Sequence, residues 1–255
     1  MSMIDVINPA YGTLVGQANN SGIADCLAAV DAAHDAFPAW KTTPPRQRGE
    51  MLRRAFEAMM GSQEELARLI TQENGKVLAD ARAEVAYAAE FFRWFGEEAV
   101  RIDGDYRTAP NGTNWLLVMR QPVGVSLLAT PWNFPAAMAT RKIGPALAAG
   151  CTVVLKPAHE TPLTALAIGE ILKDAGVPEG VVNIVVADPP GPAVEAMLDS
   201  GKVRKLSFTG STRVGSMLIA HAAKNVINCS MELGGNAPLV VFDDADLDVR
   251  SEEHT

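Results

Sequence analysis

The stretch GVSLLATPWNFPAAMATRKIGPALAAGCTVVLKP, Gly124 to Pro157, decides the fold. Two short apolar runs, GVSLLAT and CTVVLKP, flank a helical segment, ATRKIGPALAAG. Runs this short and this apolar, bounded by Gly and Pro, read as strands covered on both faces. Strand, helix and strand in that order form a right-handed crossover between parallel neighbours. The pattern then continues. VNIVVA, RKLSFT, NCSMEL and PLVVF are further strand candidates, with TPLTALAIGEILKDAG, PAVEAMLDSG and STRVGSMLIAHAA as helices between them. The expectation is an α/β fold, a doubly wound, Rossmann-like parallel sheet over 125–249. Ligands of such sheets sit at the carboxyl ends of the strands.

Upstream, residues 1–110 read as helical. Ser21 can cap SGIADCLAAVDAAHDAF, and PPRQRGEMLRRAFEAMM opens on proline, which suits a first helical turn. Ser62 and Glu65 stand at capping-box spacing. KVLADARAEVAYAAEFFRWFGEEAV repeats its apolar residues three and four apart, and DGDYRTAPNGTN is a loop that ends this section. WLLVMRQPVGVSLLAT then reads as two extended segments around Pro122.

With 255 residues, 48% of them hydrophobic, the chain can bury a sizeable core. A formal net charge of −8 argues against a general nucleic-acid or membrane-surface binder, while leaving room for a local basic site. No apolar run approaches the ~20 residues that span a bilayer, and MSMIDVINPAYGT lacks the features of a signal peptide. Cys26, Cys151 and Cys229 are odd in number and far apart. They read as free thiols of a reducing cytoplasm, and no Cys/His spacing suggests a metal site.

Unusual residues stand at the downstream strand edges. FTGSTRVG puts Gly210 and Ser211 between a strand and a helix, where free amides and a positive helix end suit a phosphate. The spacing is not the dinucleotide fingerprint, and a Ser-capped turn is the ordinary alternative. Lys156 ends its strand and could meet a ribose or phosphate oxygen, or simply be solvated. Asn133, stiffened by Pro131 and Pro135, offers an amide donor to a developing oxyanion, or caps its own turn. Glu232, in an apolar run before Gly234 and Gly235, would be costly if buried, and suits a general base or a strand-end ion pair. Cys151 and Cys229 read as small buried hydrophobes rather than nucleophiles.

Together, NPA, RQPVGV, TPWNFP, GPALAAGCTVVLKPA, GVPEGVVNIV, SFTGSTRVG, MELGGNAP and FDDADLD resemble the aldehyde dehydrogenase superfamily over nearly the whole chain. FFRWFGEEAVRIDGD and NFPAAMATRKIGPAL resemble its succinate-semialdehyde dehydrogenases. The resemblance implies oxidation of an aldehyde with NAD or NADP as cofactor. It implies Asn133 as oxyanion holder and Glu232 as general base. Lys156 would bind ribose and Ser211 with its backbone the pyrophosphate, with Gly210 and Gly215 also among the cofactor-binding residues. Thr130 and Trp132 would line the nicotinamide side, and Arg141 would grip the distal carboxylate of the substrate. Residues 111–124 would begin an oligomerisation arm of a homo-oligomer. A broad-specificity aldehyde dehydrogenase, or a non-catalytic nucleotide-binding chain, are the rival readings.

Two departures stand out. NAD-preferring relatives carry a glutamate three residues after the lysine, where this chain has His159, with Glu160 next. Lys156 and His159 could then both face a 2′-phosphate, so NADP is expected to be accepted. The family's nucleophilic cysteine follows the Glu-Leu-Gly-Gly motif by a few dozen residues, beyond Thr255, so a cofactor-binding half without its catalytic domain is expected. Arg250–Thr255 resembles an in-frame translation of a sequencing adapter, so residues 250–255 are expected to be non-native.

Overall fold

A computed structural model of the chain describes residues 2–238 and 240–246. It opens with β1 (Met3–Ile7), β2 (Leu14–Asn19), α1 (Ile23–Trp40), α2 (Pro45–Gly61), α3 (Gln63–Asn74) and α4 (Leu78–Glu98). Then come β3 (Asp105–Thr108), β4 (Trp115–Val118), β5 (Val125–Ala129), α5 (Pro135–Ala148), β6 (Thr152–Lys156) and α6 (Pro162–Asp174). The chain continues through β7 (Val182–Ile184), α7 (Pro190–Asp199), β8 (Val203–Gly210), α8 (Thr212–Ala223) and β9 (Asn228–Leu233).

β5 to β9 form one parallel sheet in the order β7-β6-β5-β8-β9, the doubly wound arrangement expected from Gly124–Pro157. Side chains alternate across it. Leu128, Val153 and Leu155 face a core shared with α2 to α6, through residues such as Leu52, Phe92 and Ile143. Val125, Leu127, Val154, Leu206 and Phe208 face a second core with α1, α7 and α8, including Val30 and Met197. Both faces of β5 and β6 are therefore buried, which explains why their sequences are continuously apolar. β8 and β9 differ. Their second face carries Lys205, Ser207, Asn228, Ser230 and Glu232, and Lys205 donates to Ser230 Oγ at 2.6 Å and to Asn228 Oδ1.

The helical layer grips the sheet's own helices by their ends. Glu84 on α4 accepts the first amides of α5, from Ala136 at 2.9 Å and Ala137 at 3.2 Å. Glu73 on α3 does the same for α6, accepting Leu163 N–H at 2.8 Å and Thr164 N–H at 2.9 Å. At the opposite ends, Arg48 Nε of α2 donates to Ala148 O at 3.1 Å, and Arg54 Nε to Ala175 O at 2.8 Å. Carboxyl groups sit at the two N-termini and guanidinium cations at the two C-termini; where the group is charged this is the favourable sense for a helix dipole, worth about 0.3–2 kcal/mol each. α2 and α4 cross closely at glycines: a Cβ on Gly49 would lie 2.5 Å from Gly96 O.

Several expectations need correction. The first residues are not helical, since β1 and β2 make an antiparallel hairpin. Ser21 does not cap α1. Gly22 is the N-cap, and Asp25 Oδ2 accepts its N–H at 2.9 Å. Ser62 makes no side-chain cap, because it ends α2 and begins α3 at once, with φ −103 and ψ 19. DGDYRTAPNGTN is not all loop: Asp105–Thr108 pairs antiparallel with Trp115–Val118, so the hairpin starts before residue 111. In PLVVF, Pro238, Val240, Val241 and Phe242 lie outside any strand, and the sheet ends at β9 among the described residues. The tail at 250–255 lies outside the described residues.

Candidate functional site

Register fixes the carboxyl margin of the sheet. Ala129 pairs with both Lys156 and Phe208, and Thr209 pairs with Glu232. Thr130, Lys156, Gly210 and Glu232 therefore stand on four adjacent strands, spread over about 15 Å at about 4.8 Å per strand. They share a margin but not a face. Lys156 alternates with Leu155, which places it on the side of Val154 and the α1–α7–α8 core. Glu232 alternates with Met231 and Leu233, which pack on that core, and so lies on the opposite, polar face. A ligand touching both must cross the sheet edge. The downstream strand edges thus form a margin with two sides.

Lys156 is 8% exposed, and its ammonium has no hydrogen-bond partner among the described residues. Burial lowers its pKa, with Glu160 and Asp188 opposing. A largely buried ammonium without a protein partner at a strand end is free to donate to a ligand there.

The helix N-termini at this margin are not equivalent. Those of α5 and α6 already hold the carboxylates of Glu84 and Glu73. α7 begins Pro190-Gly191-Pro192, so two of its first three residues have no N–H. Among the described residues, α8 keeps its first amides open, and so does α1 at Ile23 and Ala24, its start tied to this margin by Ser21 N–H donating to Val186 O at 2.6 Å. Ser211 Oγ accepts Val214 N–H at 3.3 Å, leaving Thr212 and Arg213 N–H without partners among the described residues. An anion arriving beyond β8 finds free amides at the start of α8. Gly215 lies one turn into α8. A Cβ on it would stand 2.4 Å from Leu233 Cδ2, so this glycine lets α8 pack against β9.

The PWNFP turn is held through its backbone. Trp132 O accepts Asn74 Nδ2 at 2.9 Å and Thr161 Oγ1 at 3.4 Å, and Asn133 O accepts Lys76 Nζ at 3.0 Å. The exposed Asn133 side-chain amide has no partner among the described residues and is available to a ligand. Trp132, 54% exposed, is available too.

His159 lies in the turn after β6, half-buried. Its Nδ1 lies 3.4 Å from Glu160 Oε2. With Asp5, Glu73, Trp132 and Thr161 it lines a cavity of about 460 Å³ that Lys156 does not line. Arg141 lies on α5, its Nη2 donating to Tyr87 Oη at 3.1 Å and its guanidinium 5.3 Å from the Phe91 ring centroid. Most of its donors remain free. Glu232 is exposed, not buried as its apolar sequence neighbours suggested. Those neighbours alternate onto the other face.

Sequence reading missed Lys142, Glu73 and Glu84. Lys142 Nζ donates to Ser207 Oγ at 2.7 Å on the Glu232 side of the sheet. Burial lowers its pKa to about 8, helped by Arg141 and opposed by Glu232. Burial pushes Glu73 up to about 7, against the pull of the Thr164 and Leu163 groups it accepts from. One signal existed: these charges stand in the apolar stripes of their helices, as Glu73 does after Leu66 and Ile70.

The cysteines are unsuited to attack. Cys26 and Cys151 are buried. Cys229 is partly buried, with Sγ 3.4 Å from Ile227 O, on the face opposite Glu232. Burial raises the Cys26 and Cys229 thiols.

Comparison with known proteins gives a consistent picture. The profile of the Aldehyde dehydrogenase family matches residues 1–254. Succinate-semialdehyde dehydrogenase (NADP+) GabD of Escherichia coli K12 is 51% identical over 245 residues, covering 96% of this chain and 51% of that protein. Glutarate-semialdehyde dehydrogenase of Pseudomonas putida is likewise 51% identical, over 96% of this chain and 51% of its own length. A crystal structure of an E. coli NADP-dependent enzyme superposes with a TM-score of 0.91 at 51% identity, over 97% of this chain and 51% of that one. The chain spans about half the length of the relatives it matches.

Proposed function

This chain belongs to the aldehyde dehydrogenase family, and from that premise we propose that it is the NAD(P)-binding half of an enzyme oxidising an aldehyde with a distal carboxylate, such as succinate semialdehyde, to the acid. The observation that carries the cofactor assignment is the open amides at the start of α8, on the same strand margin as the unpartnered ammonium of Lys156. Both fit a nucleotide. The amides of Thr212 and Arg213, with Ser211, would hold the pyrophosphate, and Lys156 the ribose hydroxyls. Gly210 would let the ligand approach the strand end. Thr130 and Trp132 would flank the nicotinamide, which when bound supplies the hydride acceptor.

The remaining residues prepare the aldehyde. Asn133 donates its side-chain amide to the aldehyde oxygen and holds it more tightly as negative charge grows there. Glu232, on the polar face, accepts a proton from the attacking thiol or from the water that later releases the acid. Arg141 pairs its free donors with the distal carboxylate. The thiol itself must come from outside Cys26, Cys151 and Cys229, given their burial and Cys229's placement. In this reading the exposed β3–β4 hairpin, with Trp115 and Leu117 each 66% exposed, is the arm that joins subunits of the whole enzyme.

NADP acceptance rests on His159 standing where a carboxylate would repel a 2′-phosphate. Glu160, 3.4 Å from the imidazole, works against it. The placement of the cysteines favours a second reading for the chain taken alone, a nucleotide-binding polypeptide without turnover. Titration calorimetry with NAD and NADP, followed by an assay for aldehyde-dependent NAD(P)H formation, separates the two. Binding without turnover is expected. Failure to bind either nucleotide contradicts the proposal.

A further inference from the structure

We infer that Lys76 and Glu84 form a positioning pair that sets the direction of the Asn133 side chain. The inference rests on the catalytic part assigned above to Asn133. Glu84 is 2% exposed and pairs with Lys76, whose side chain is 13% exposed. That single ion pair grips two consecutive pieces of chain. Lys76 Nζ donates to Asn133 O at 3.0 Å and lies 3.8 Å from the Phe134 ring centroid. Glu84 Oε1 accepts the amides of Ala136 and Ala137, the first free donors of α5. The turn and the helix that follows are thus referenced to one buried point on the α3–α4 junction.

The side chain of Asn133 is exposed and has no protein partner to aim it. Its Cα–Cβ bond takes its direction from the backbone, which limits where the amide can reach. Pro131 and Pro135 fix their own φ angles on either side. They do not fix ψ of Asn133, which turns its carbonyl. Lys76 pins that carbonyl. Asn74 and Thr161 pin the preceding one, so both peptide planes flanking Asn133 are held. A buried ion pair is a weak source of stability compared with apolar packing, and its best attested use is to specify one geometry. The geometry specified here is that of an oxyanion donor, where a misplacement of about 1 Å costs on the order of a hundredfold in rate.

The test uses Lys76→Met/Glu84→Gln, which removes both charges together and leaves Gln Oε1 able to accept an α5 amide. Lys76→Gln, a shorter neutral donor, is the second variant and is held to the same outcomes. In this chain, nitrogen-15 NMR of the Asn133 side-chain amide reads position directly. The signal is expected to shift and broaden while signals from the β8–β9 face stay in place. An unchanged Asn133 signal overturns the inference. In a full-length enzyme carrying this segment, kcat is expected to fall at least about tenfold with little change in KM. That loss should vanish in an Asn133→Ala background. A loss of equal size in that background marks a merely structural role and overturns the inference. Should Asn133→Ala alone leave kcat unchanged, the catalytic role of Asn133 fails, and the NMR result still decides the positioning.

Discussion

Replacing Glu73 by glutamine should change how stability depends on pH, in a direction that follows from burial. Glu73 is 3% exposed. Its carboxyl is raised from 4.5 to about 7, chiefly by desolvation, despite two amide donors. At about 1.4 kcal/mol per pH unit, that difference corresponds to about 3 kcal/mol. The folded state holds the Glu73 proton more tightly than the unfolded chain does. The stability it contributes is therefore complete below pH 4.5 and lost as pH rises through about 7. Glutamine does not titrate. It keeps one acceptor for Leu163 or Thr164 and loses the other, a pH-independent cost of about 1–3 kcal/mol. Urea unfolding followed by tryptophan fluorescence, at constant ionic strength from pH 5 to 8, gives both curves. The wild-type chain should be the more stable at pH 5, and the gap should close by about 2.5 kcal/mol, or invert, by pH 8. Lys142 acts in the opposite sense and at higher pH, since its depressed pKa of about 8 adds stability only as pH rises above that value. It cancels in the wild-type–variant difference. A gap that stays constant, or widens with pH, refutes the reasoning. It would mean that the end of α6 holds the carboxylate ionised.

Val226 has φ 52 and is 91% exposed, a left-handed conformation unfavourable for a β-branched residue. Val226→Asn should raise stability by about 1 kcal/mol, read as a higher urea midpoint, and a lower midpoint contradicts the strain. Gly215→Ala should cost about 1–3 kcal/mol by forcing a methyl group against Leu233. Adding Leu233→Ala should recover part of that loss in a double-mutant cycle, whereas additive losses would place the strain elsewhere. In a full-length enzyme carrying this segment, His159→Glu should weaken NADP relative to NAD by roughly tenfold, the effect of about one extra carboxylate near the 2′-phosphate. NAD binding at least about tenfold tighter than NADP in the parent would already defeat the NADP expectation.

The parallel sheet was readable because its strands are buried on both faces and announce themselves as apolar runs. β5 and β6 are the clearest cases. β3 was not readable. Asp-Tyr-Arg-Thr is exposed throughout and has no buried face to impose an alternating pattern. β1 and β2 bury only Val6 and Ala18, too little for a two-residue period to show. At the site, strand-end residues could be named because chain order places them at the carboxyl margin. Their faces could not be assigned without register, which sets Lys156 and Glu232 on opposite sides of the sheet edge. Glu73 and Glu84 went unread as helix caps because their partners, Leu163 and Ala136, lie 90 and 52 residues away.

The account turns on phosphate oxygens resting on the open amides of α8. Thr212→Pro removes one of those amides at a position where proline's fixed φ suits a first helical turn, so the helix should survive. Calorimetric titration of NADP and NAD into wild type and variant tests the claim directly. One charge-assisted hydrogen bond lost should weaken both nucleotides by roughly 10- to 100-fold with the circular dichroism spectrum unchanged. Equal affinity in the two proteins would contradict the account.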